Sequence, residues 1–284
     1  MHYRFSDRVR KGRRALQAAR QRTVPIRLLI PNIVTLIGLC VGLTSIRMAI
    51  EGRFENALIA IAAAAVLDGL DGRMARLLKA SSRFGAELDS LSDFVCFGVA
   101  PTVVLFLWAY PSGSSLGWIV VLVFAVAAAL RLARFNIALD DPGKPIWENA
   151  YFVGVPVPAG AILVLLPLYL EKLGLPKSWM FLPLVSLYAL GIACLMVSRI
   201  RTFSGKLIGR RIERDFVAPV IGLGVLLVAT LATYPYLSVT LGCLVYLAMI
   251  PVSMKRYWEL KQEFAQSQTP ILMHETRMPE KPKV

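Results

Sequence analysis

Long apolar segments recur along this chain, and they constrain its fold more than any other feature of the sequence. Apolar residues occupy 56% of the 284 positions, charged residues occupy only 18%, and the mean hydropathy is +0.60. A soluble domain has about 45–50% apolar and about 25% charged residues. A disordered chain has low hydrophobicity. The composition therefore argues against both classes and predicts an integral membrane protein.

Each apolar segment is long enough to cross a bilayer as a helix, which takes about 20 mostly apolar residues. The segments lack the alternation of a membrane β-barrel, so we expect one all-α bundle of about eight transmembrane helices. The transmembrane domain covers residues 28–257, between a basic N-terminal tail (1–27) and a polar C-terminal tail (258–284). The predicted spans are residues 28–50, 55–78, 85–110, 116–138, 155–172, 179–199, 216–233 and 236–256.

The positive charge is distributed in a way that orients this bundle. A net charge of +14 can indicate a nucleic-acid partner, but here the cations cluster between apolar segments, so none is expected. If both termini are cytoplasmic, 28 of the 32 Lys and Arg residues face the cytoplasm, as the positive-inside rule requires. We therefore expect a multi-pass protein of the cytoplasmic (inner) membrane with both termini inside. The N-terminal tail either contacts anionic lipid headgroups or is only solvated.

Four aspartates lie beside the loop between the second and third predicted spans. Asp68 and Asp71 are three residues apart, and Asp89 and Asp93 are four apart, so each pair shares one face of a helix. Because the linker of residues 77–84 is short, the two helices should be antiparallel neighbours. The four carboxylates are then expected to converge at the cytoplasmic edge of the membrane.

Such a group of acids needs positive partners, because charges at membrane depth are costly. Arg73 and Arg76 are too few to balance four carboxylates. An all-oxygen site without His or Cys suits Mg²⁺ or Mn²⁺, and four carboxylates could hold two such ions around a pyrophosphate. Small residues on the same helices leave room either for a ligand or for close helix packing. These small residues are Gly69, Gly72, Ala75 and Gly85.

The pattern from Asp68 to Asp93 reads D-x-x-D-G-x-x-A-R-x8-G-x3-D-x3-D, with eight fixed residues over 26 positions. It closely resembles the signature of the CDP-alcohol phosphotransferases, membrane enzymes that transfer a phospho-alcohol group from a CDP ester to a hydroxyl. The resemblance implies a dinuclear Mg²⁺ or Mn²⁺ site held by four aspartates, and often a homodimer. The resemblance also implies roles for individual residues. Asp68, Asp71, Asp89 and Asp93 would be metal ligands, and Asp93 would also be the general base. Gly72, Ala75 and Gly85 would line the cytidine site, and Arg76 would support the phosphates or the aspartates.

Three further segments, residues 29–36, 130–136 and 152–159, resemble the serine-using bacterial branch of this family, the membrane-embedded phosphatidylserine synthases. This implies CDP-diacylglycerol and L-serine as substrates. A serine carboxylate is matched by a guanidinium, so Arg131 and Arg134, with Asn136, are expected to bind the acceptor; anchoring at the membrane surface is the alternative.

Other positions are expected to contact the donor. Asn32 and Thr35 share a face of the first span and are expected to contact the CDP phosphates, although capping or interhelical bonding would explain them equally well. Lys206, in the basic loop after the sixth span, is expected by resemblance to bind the donor pyrophosphate; contact with lipid headgroups is the alternative.

The sequence leaves other functions open. The acceptor could instead be choline, inositol phosphate or glycerol 3-phosphate. Choline would leave both arginines without a carboxylate to bind, and a phosphorylated acceptor would need a more basic pocket. Buried acids on several helices also occur in cation transporters. A transporter, however, places its acids near the middle of the bilayer and often contains an internal repeat, whereas here they cluster at one membrane edge.

Overall fold

The computed structural model describes residues 26–111, 113–139, 151–177, 181–203 and 214–275. Nearly all of these residues are helical, as the composition predicts. The helices are α1 (Ile26–Ile50), α2 (Phe54–Leu77), α3 (Arg83–Asp93), a π-helical segment (Phe94–Val99), α4 (Ala100–Ala109), α5 (Ser115–Leu139), α6 (Val157–Val164), α7 (Leu166–Lys172), α8 (Phe181–Val197), α9 (Arg214–Thr233) and α10 (Pro235–Glu275). Two short strands, β1 (Tyr151–Val153) and β2 (Arg201–Phe203), complete the described elements.

Four stretches among the described residues are long and apolar enough to cross a membrane, and many of their apolar side chains are exposed. Two more apolar helices, Leu182–Val197 and Val217–Thr233, are shorter. The helix α2 is also long enough to cross a membrane, but its C-terminal part contains acids and arginines of the motif. The chain is thus a helical membrane protein. The four stretches are Leu29–Ile50, Arg83–Ala109, Ser115–Ala138 and Pro235–Glu259.

The chain divides into two compact units, and the first ends at Ala100. In this unit α1 packs along α2 and α3 through one stripe of small side chains. The stripe recurs at alternating intervals of four and three residues, which is the spacing of one helix face. Small residues let membrane helices approach closely, so this face brings α1 against both helices that carry the aspartates. The buried stripe consists of Pro31, Thr35, Gly38, Gly42, Ser45 and Ala49.

One close approach in this unit involves the π segment that follows Asp93. A Cβ built at Gly42 would overlap the Sγ of Cys96 and lie 3.2 Å from its Cα. The Cys96 thiol in turn donates to the carbonyl of Gly38 at 3.5 Å. A π-helical turn inside a helix changes the direction of the side chains that follow it. Nothing in the sequence predicted this turn, and it lies directly after an aspartate of the motif.

The second unit begins at Pro101 and contains a two-stranded antiparallel pair that the all-α prediction did not include. Tyr151 pairs with Phe203, and Val153 with Arg201. The turn after β1 requires glycine, because Gly154 has a φ of +73° and a Cβ there would overlap the carbonyl of Met196. Each strand is only three residues long, too short for a periodic pattern to be read from the sequence.

The fifth predicted span, residues 155–172, is divided into two helices in the structure. The helix α6 ends at Val164 and α7 begins at Leu166, with Leu165 between them. Pro167 lies in the first turn of α7. Proline has no N–H to donate and its ring clashes with the preceding turn, so it suits the start of a helix and interrupts a continuous one.

Candidate metal and phosphate site

The first two aspartates of the motif lie near the C-terminal end of α2. Just beyond this helix, Lys79 has an unusual backbone conformation. Lys79 has a φ of +49°, a conformation that glycine usually supplies at a helix C-terminus. The N–H of Ala80 donates to the carbonyl of Ala75 at 2.8 Å and closes this turn. The chain leaves α2 at this turn, and α3 begins a few residues later at Arg83.

The other two aspartates lie on α3, which begins at a clear N-cap. The Ser82 Oγ accepts a hydrogen bond from the N–H of Gly85 at 3.0 Å. Serine is a preferred N-cap because its oxygen satisfies an N–H that the helix leaves unpaired. The helix α3 ends at Asp93, where the π segment begins. One cap and one turn thus set the positions of both aspartate pairs.

The structure brings the aspartates together as the sequence predicted. One carboxylate oxygen from each of Asp68, Asp71 and Asp89 lies within 4.8 Å of the other two. Asp93 stands outside this group of three, but its carboxyl group is within hydrogen-bonding reach of Asp68. Asp71 is only 4% exposed, and the other three are half-buried. The four acids therefore form one cluster with a buried and an accessible side.

This cluster fits divalent cations, and no cationic side chain within the described residues neutralises it. Among the described residues, no Lys, Arg or His nitrogen lies within 4.0 Å of these four carboxylates. Arg76, predicted to support them, is exposed. Converging carboxylate oxygens without nitrogen or sulfur donors are the ligands that Mg²⁺ and Mn²⁺ prefer. The donor set therefore suits a hard divalent cation.

The small residues of the motif have two different environments. A Cβ at Gly69 would meet nothing within 4 Å, and one at Gly72 would meet only Arg76 Nη1 at 3.8 Å. A Cβ at Gly85, by contrast, would lie 2.9 Å from the Oδ1 of Asn32. Gly72 therefore adjoins open space, whereas the space beside Gly85 is filled by α1. Ala75 is half-buried on the same helix as Gly72.

The first helix contacts the cluster directly, which the sequence left undecided. The Thr35 Oγ1 lies 2.6 Å from Asp71 Oδ2, and 3.1 Å from the carbonyl oxygen of Pro31. This is the interhelical bond that the sequence allows as an alternative to contact with the CDP phosphates. Asn32, one turn earlier, lies against Gly85.

Two neighbours of the aspartates were not predicted from the sequence. Ser92 and Cys96 line one small pocket together with Asp68, Asp71 and Asp93. The Oγ of Ser92 donates to the carbonyl of Thr35 at 3.4 Å. The sequence signal that could have identified them is their spacing: they lie four residues apart, on either side of Asp93.

The predicted acceptor-binding arginines lie in the second unit, where each holds a backbone carbonyl. Arg131 is 7% exposed; its Nε donates to the carbonyl of Val155 at 3.2 Å, and its guanidinium lies 5.2 Å from the ring centre of Phe135. Arg134 donates from Nη1 to the carbonyl of Val197 at 2.7 Å. A guanidinium has five donors, so these bonds are compatible with contact to a substrate, which stays a prediction.

The structure says little about the other two residues that are predicted to bind substrate, Asn136 and Lys206. Asn136 is half-buried near the end of α5. Lys206, predicted to bind the pyrophosphate, lies outside the described residues.

The acidic cluster and the motif are those expected of a membrane enzyme that transfers a group from a CDP ester. Comparison with known proteins supports this assignment. The model of the CDP-alcohol phosphatidyltransferase family matches residues 28–198 of this chain, which include all four aspartates. The chain therefore belongs to the CDP-alcohol phosphatidyltransferase family. The matched region ends just after α8, so α9 and α10 lie outside it.

Three curated relatives of this chain carry the same enzyme name. The chain is 40% identical over 223 residues to the CDP-diacylglycerol–serine O-phosphatidyltransferase of Mycobacterium leprae, covering 78% of this chain and 73% of that protein. It is 37% identical to the enzyme of the same name from Mycobacterium tuberculosis, covering 80% and 78%. A third relative of this name, from Bacillus subtilis, is 33% identical over 61% of this chain and 88% of its own.

Proposed function

We propose that this protein transfers the phosphatidyl group of CDP-diacylglycerol to the hydroxyl group of L-serine, giving phosphatidylserine and CMP. The observation that carries the proposal is the convergence of three carboxylate oxygens within 4.8 Å of one another, with a fourth aspartate beside them. These are the four aspartates of the family motif. The names of the relatives at 37–40% identity support serine as the acceptor and CDP-diacylglycerol as the donor.

In the proposed reaction, Asp93 accepts the proton of the serine hydroxyl at a carboxylate oxygen. The serine oxygen then forms a bond to the lipid-linked phosphorus, and the bond between that phosphorus and the oxygen of CMP breaks. A positioned general base contributes about 10²–10⁴-fold to such a rate. The position of Asp93, beside Asp68 but outside the group of three, leaves it available to the acceptor.

Asp68, Asp71 and Asp89, together with Asp93, would hold the divalent cations, for which we propose two Mg²⁺ or Mn²⁺ ions. When bound, these ions would withdraw charge from the pyrophosphate and stabilise the leaving CMP. The open space beside Gly72 gives the cytidine or its phosphates access to the backbone of α2. Arg76 is exposed one turn further along and is proposed to contact a phosphate.

We further propose eight transmembrane spans with both termini and the active site on the cytoplasmic side of the cytoplasmic membrane, and a homodimer. The described helices support the number, because each of the eight predicted spans overlaps one helix or one broken helix. The 28-to-4 division of Lys and Arg supports the orientation. Reporter fusions after residues 175 and 275 would test it, because the two should report opposite sides. Chemical cross-linking in membranes would test the dimer.

The activity is tested with full-length protein in detergent–lipid micelles containing CDP-diacylglycerol and Mn²⁺. Release of CMP is followed with L-serine, choline, inositol, inositol phosphate and glycerol 3-phosphate in parallel. We expect release that depends on serine, is lost with EDTA and returns with excess Mn²⁺. Release with a different alcohol alone would overturn the proposed acceptor. A folded protein that releases no CMP with any acceptor would overturn the transferase activity.

The role of the cluster is tested by Asp89→Asn. Loss of a residue that only supports a metal ligand typically costs about 10- to 100-fold in affinity or activity, so removing an anionic ligand itself should lower CMP release by about 100-fold or more. Glu87→Gln is the matched control, because Glu87 is an exposed acid on the same helix two residues away. Near-normal activity of Asp89→Asn, in a protein that inserts into the membrane normally, would contradict the metal proposal.

A further inference from the structure

We infer that Thr35 is a positioning residue for the cation site: its hydroxyl group holds the carboxylate of Asp71 in the orientation that binds a divalent cation. The sequence alone is equally compatible with contact between Thr35 and the CDP phosphates, with helix capping and with an interhelical bond. The inference rests on the proposed function only in taking Asp71 as a cation ligand.

The contact between the two residues is short and shielded from water. The Thr35 Oγ1 lies 2.6 Å from Asp71 Oδ2, and the two residues are 7% and 4% exposed. The hydroxyl has one proton to donate, and the carbonyl of Pro31, at 3.1 Å, is the more distant of its two acceptors. A hydrogen bond to a carboxylate oxygen is stronger than one to a neutral carbonyl, so the proton goes to Asp71.

This bond determines which part of the carboxylate faces the cluster. A carboxylate has about four lone-pair positions on its two oxygens. Thr35 occupies one of those on Oδ2, and the backbone N–H of Gly72 also donates to this carboxyl group. The remaining positions are left for a cation shared with Asp68 and Asp89. Because Asp71 is the buried member of the group of three, no bulk water can take over this orienting role.

The same turn of α1 is also tied to the other pair of aspartates. The carbonyl of Thr35 accepts a hydrogen bond from Ser92, the residue before Asp93, at 3.4 Å. The carbonyl of Gly38 accepts one from the thiol of Cys96 at 3.5 Å. The turn from Thr35 to Gly38 therefore joins α2 at Asp71 to α3 at its end. Thr35 is the one residue of this turn that reaches an aspartate with its side chain.

A second threonine on the same helix provides a matched control. The Thr44 Oγ1 donates to the carbonyl of Cys40 at 2.7 Å, four residues earlier, just as Thr35 lies near Pro31. Thr44 is exposed and its hydroxyl has no aspartate partner among the bonds of the described residues. Thr44→Val therefore removes the same chemical group from the same helix without touching the cluster.

The inference is tested by direct Mn²⁺ binding to the full-length protein in detergent–lipid micelles without CDP-diacylglycerol. Free Mn²⁺ is measured by electron paramagnetic resonance during a titration. Partners of metal ligands typically contribute about 10- to 100-fold to affinity, so we expect Thr35→Val to weaken binding by that factor. Thr35→Ser, which keeps the hydroxyl, should bind within about threefold of the original protein, and Thr44→Val should bind unchanged. If Thr35→Val does not fold, Thr35→Ala provides the same deletion without a bulkier apolar group.

Unchanged Mn²⁺ affinity in the folded variant without the hydroxyl would overturn the inference. Equal weakening by Thr35→Ser and Thr35→Val would also overturn it, because the methyl group and packing would then be responsible. The result is separable from the proposed function. A protein that binds Mn²⁺ with this dependence on Thr35, yet releases no CMP with serine, would refute the serine transferase and support the positioning role.

Discussion

Gly42 is the position at which the packing that supports the acidic cluster can be tested most directly. A methyl group at this position would overlap the Sγ of Cys96 and lie 3.2 Å from both the Cα and the Cβ of that residue. Non-bonded carbon atoms prefer separations of about 3.5–4.0 Å. Gly42→Ala must therefore move α1 and the π segment apart by several tenths of an ångström. Overpacking of this kind costs about 1–3 kcal/mol of stability.

Gly38→Ala is the matched control for this substitution. Gly38 lies one turn earlier on the same buried face of α1, and a Cβ there would be 3.6 Å from the Cβ of Leu67, an ordinary van der Waals distance. Thermal unfolding of the two variants in the same detergent measures the difference. We expect a lower unfolding midpoint for Gly42→Ala and little change for Gly38→Ala. CMP release should also fall in Gly42→Ala, because Asp93 directly precedes the displaced segment.

A second substitution shows whether the overlap itself causes the loss. Cys96→Ala removes the sulfur atom but keeps the Cβ that would lie 3.2 Å from the new methyl group. Adding it to Gly42→Ala should therefore recover part of the lost stability, and the non-additivity of the two changes measures their contact. Equal unfolding midpoints for Gly42→Ala and Gly38→Ala would refute the reasoning, as would full additivity of the double variant.

Two further substitutions test the cap of α3 and the role of a buried arginine. Ser82→Ala removes the N-cap and should lower the stability by about 1 kcal/mol, seen as a lower unfolding midpoint, whereas Ser81→Ala at the exposed neighbouring position should not. Arg131→Lys keeps the charge but loses the Nε donor to the carbonyl of Val155, so we expect the stability to fall by about 1–3 kcal/mol, seen as a lower unfolding midpoint. A raised KM for serine at an unchanged midpoint would instead favour the substrate-binding role that the sequence suggested.

The acidic cluster was predictable from the sequence because it depends on local geometry. Intervals of three and four residues place each aspartate pair on one helix face, and a short linker makes the two helices neighbours. The structure confirms the convergence of Asp68, Asp71 and Asp89. The chemistry of the donors also follows from residue type alone, since oxygen ligands without His or Cys favour hard divalent cations.

The contacts of α1 could not be predicted in the same way, because they depend on packing between segments distant in the sequence. Thr35 and Asp71 are 36 residues apart, and Thr35 has equally good local explanations within its own helix. The π segment has no sequence signal, and Lys79 occupies a backbone conformation for which glycine is the usual choice. Likewise, the charge of the two arginines of α5 predicts binding of the serine carboxylate, but it does not predict the bonds that they donate to backbone carbonyls.

The amino-acid sequence was sufficient to identify this chain as a helical membrane protein with a cluster of acids at one end of a helix pair. Both results follow from short-range rules: apolar length for the helices, and helical periodicity for the aspartates. Three further features are visible only in the folded protein: Thr35 contacts Asp71, Gly42 lies against Cys96, and Gly72 adjoins open space while Gly85 does not. These distances depend on how closely helices approach one another, and that approach is set by the fit of whole helix faces.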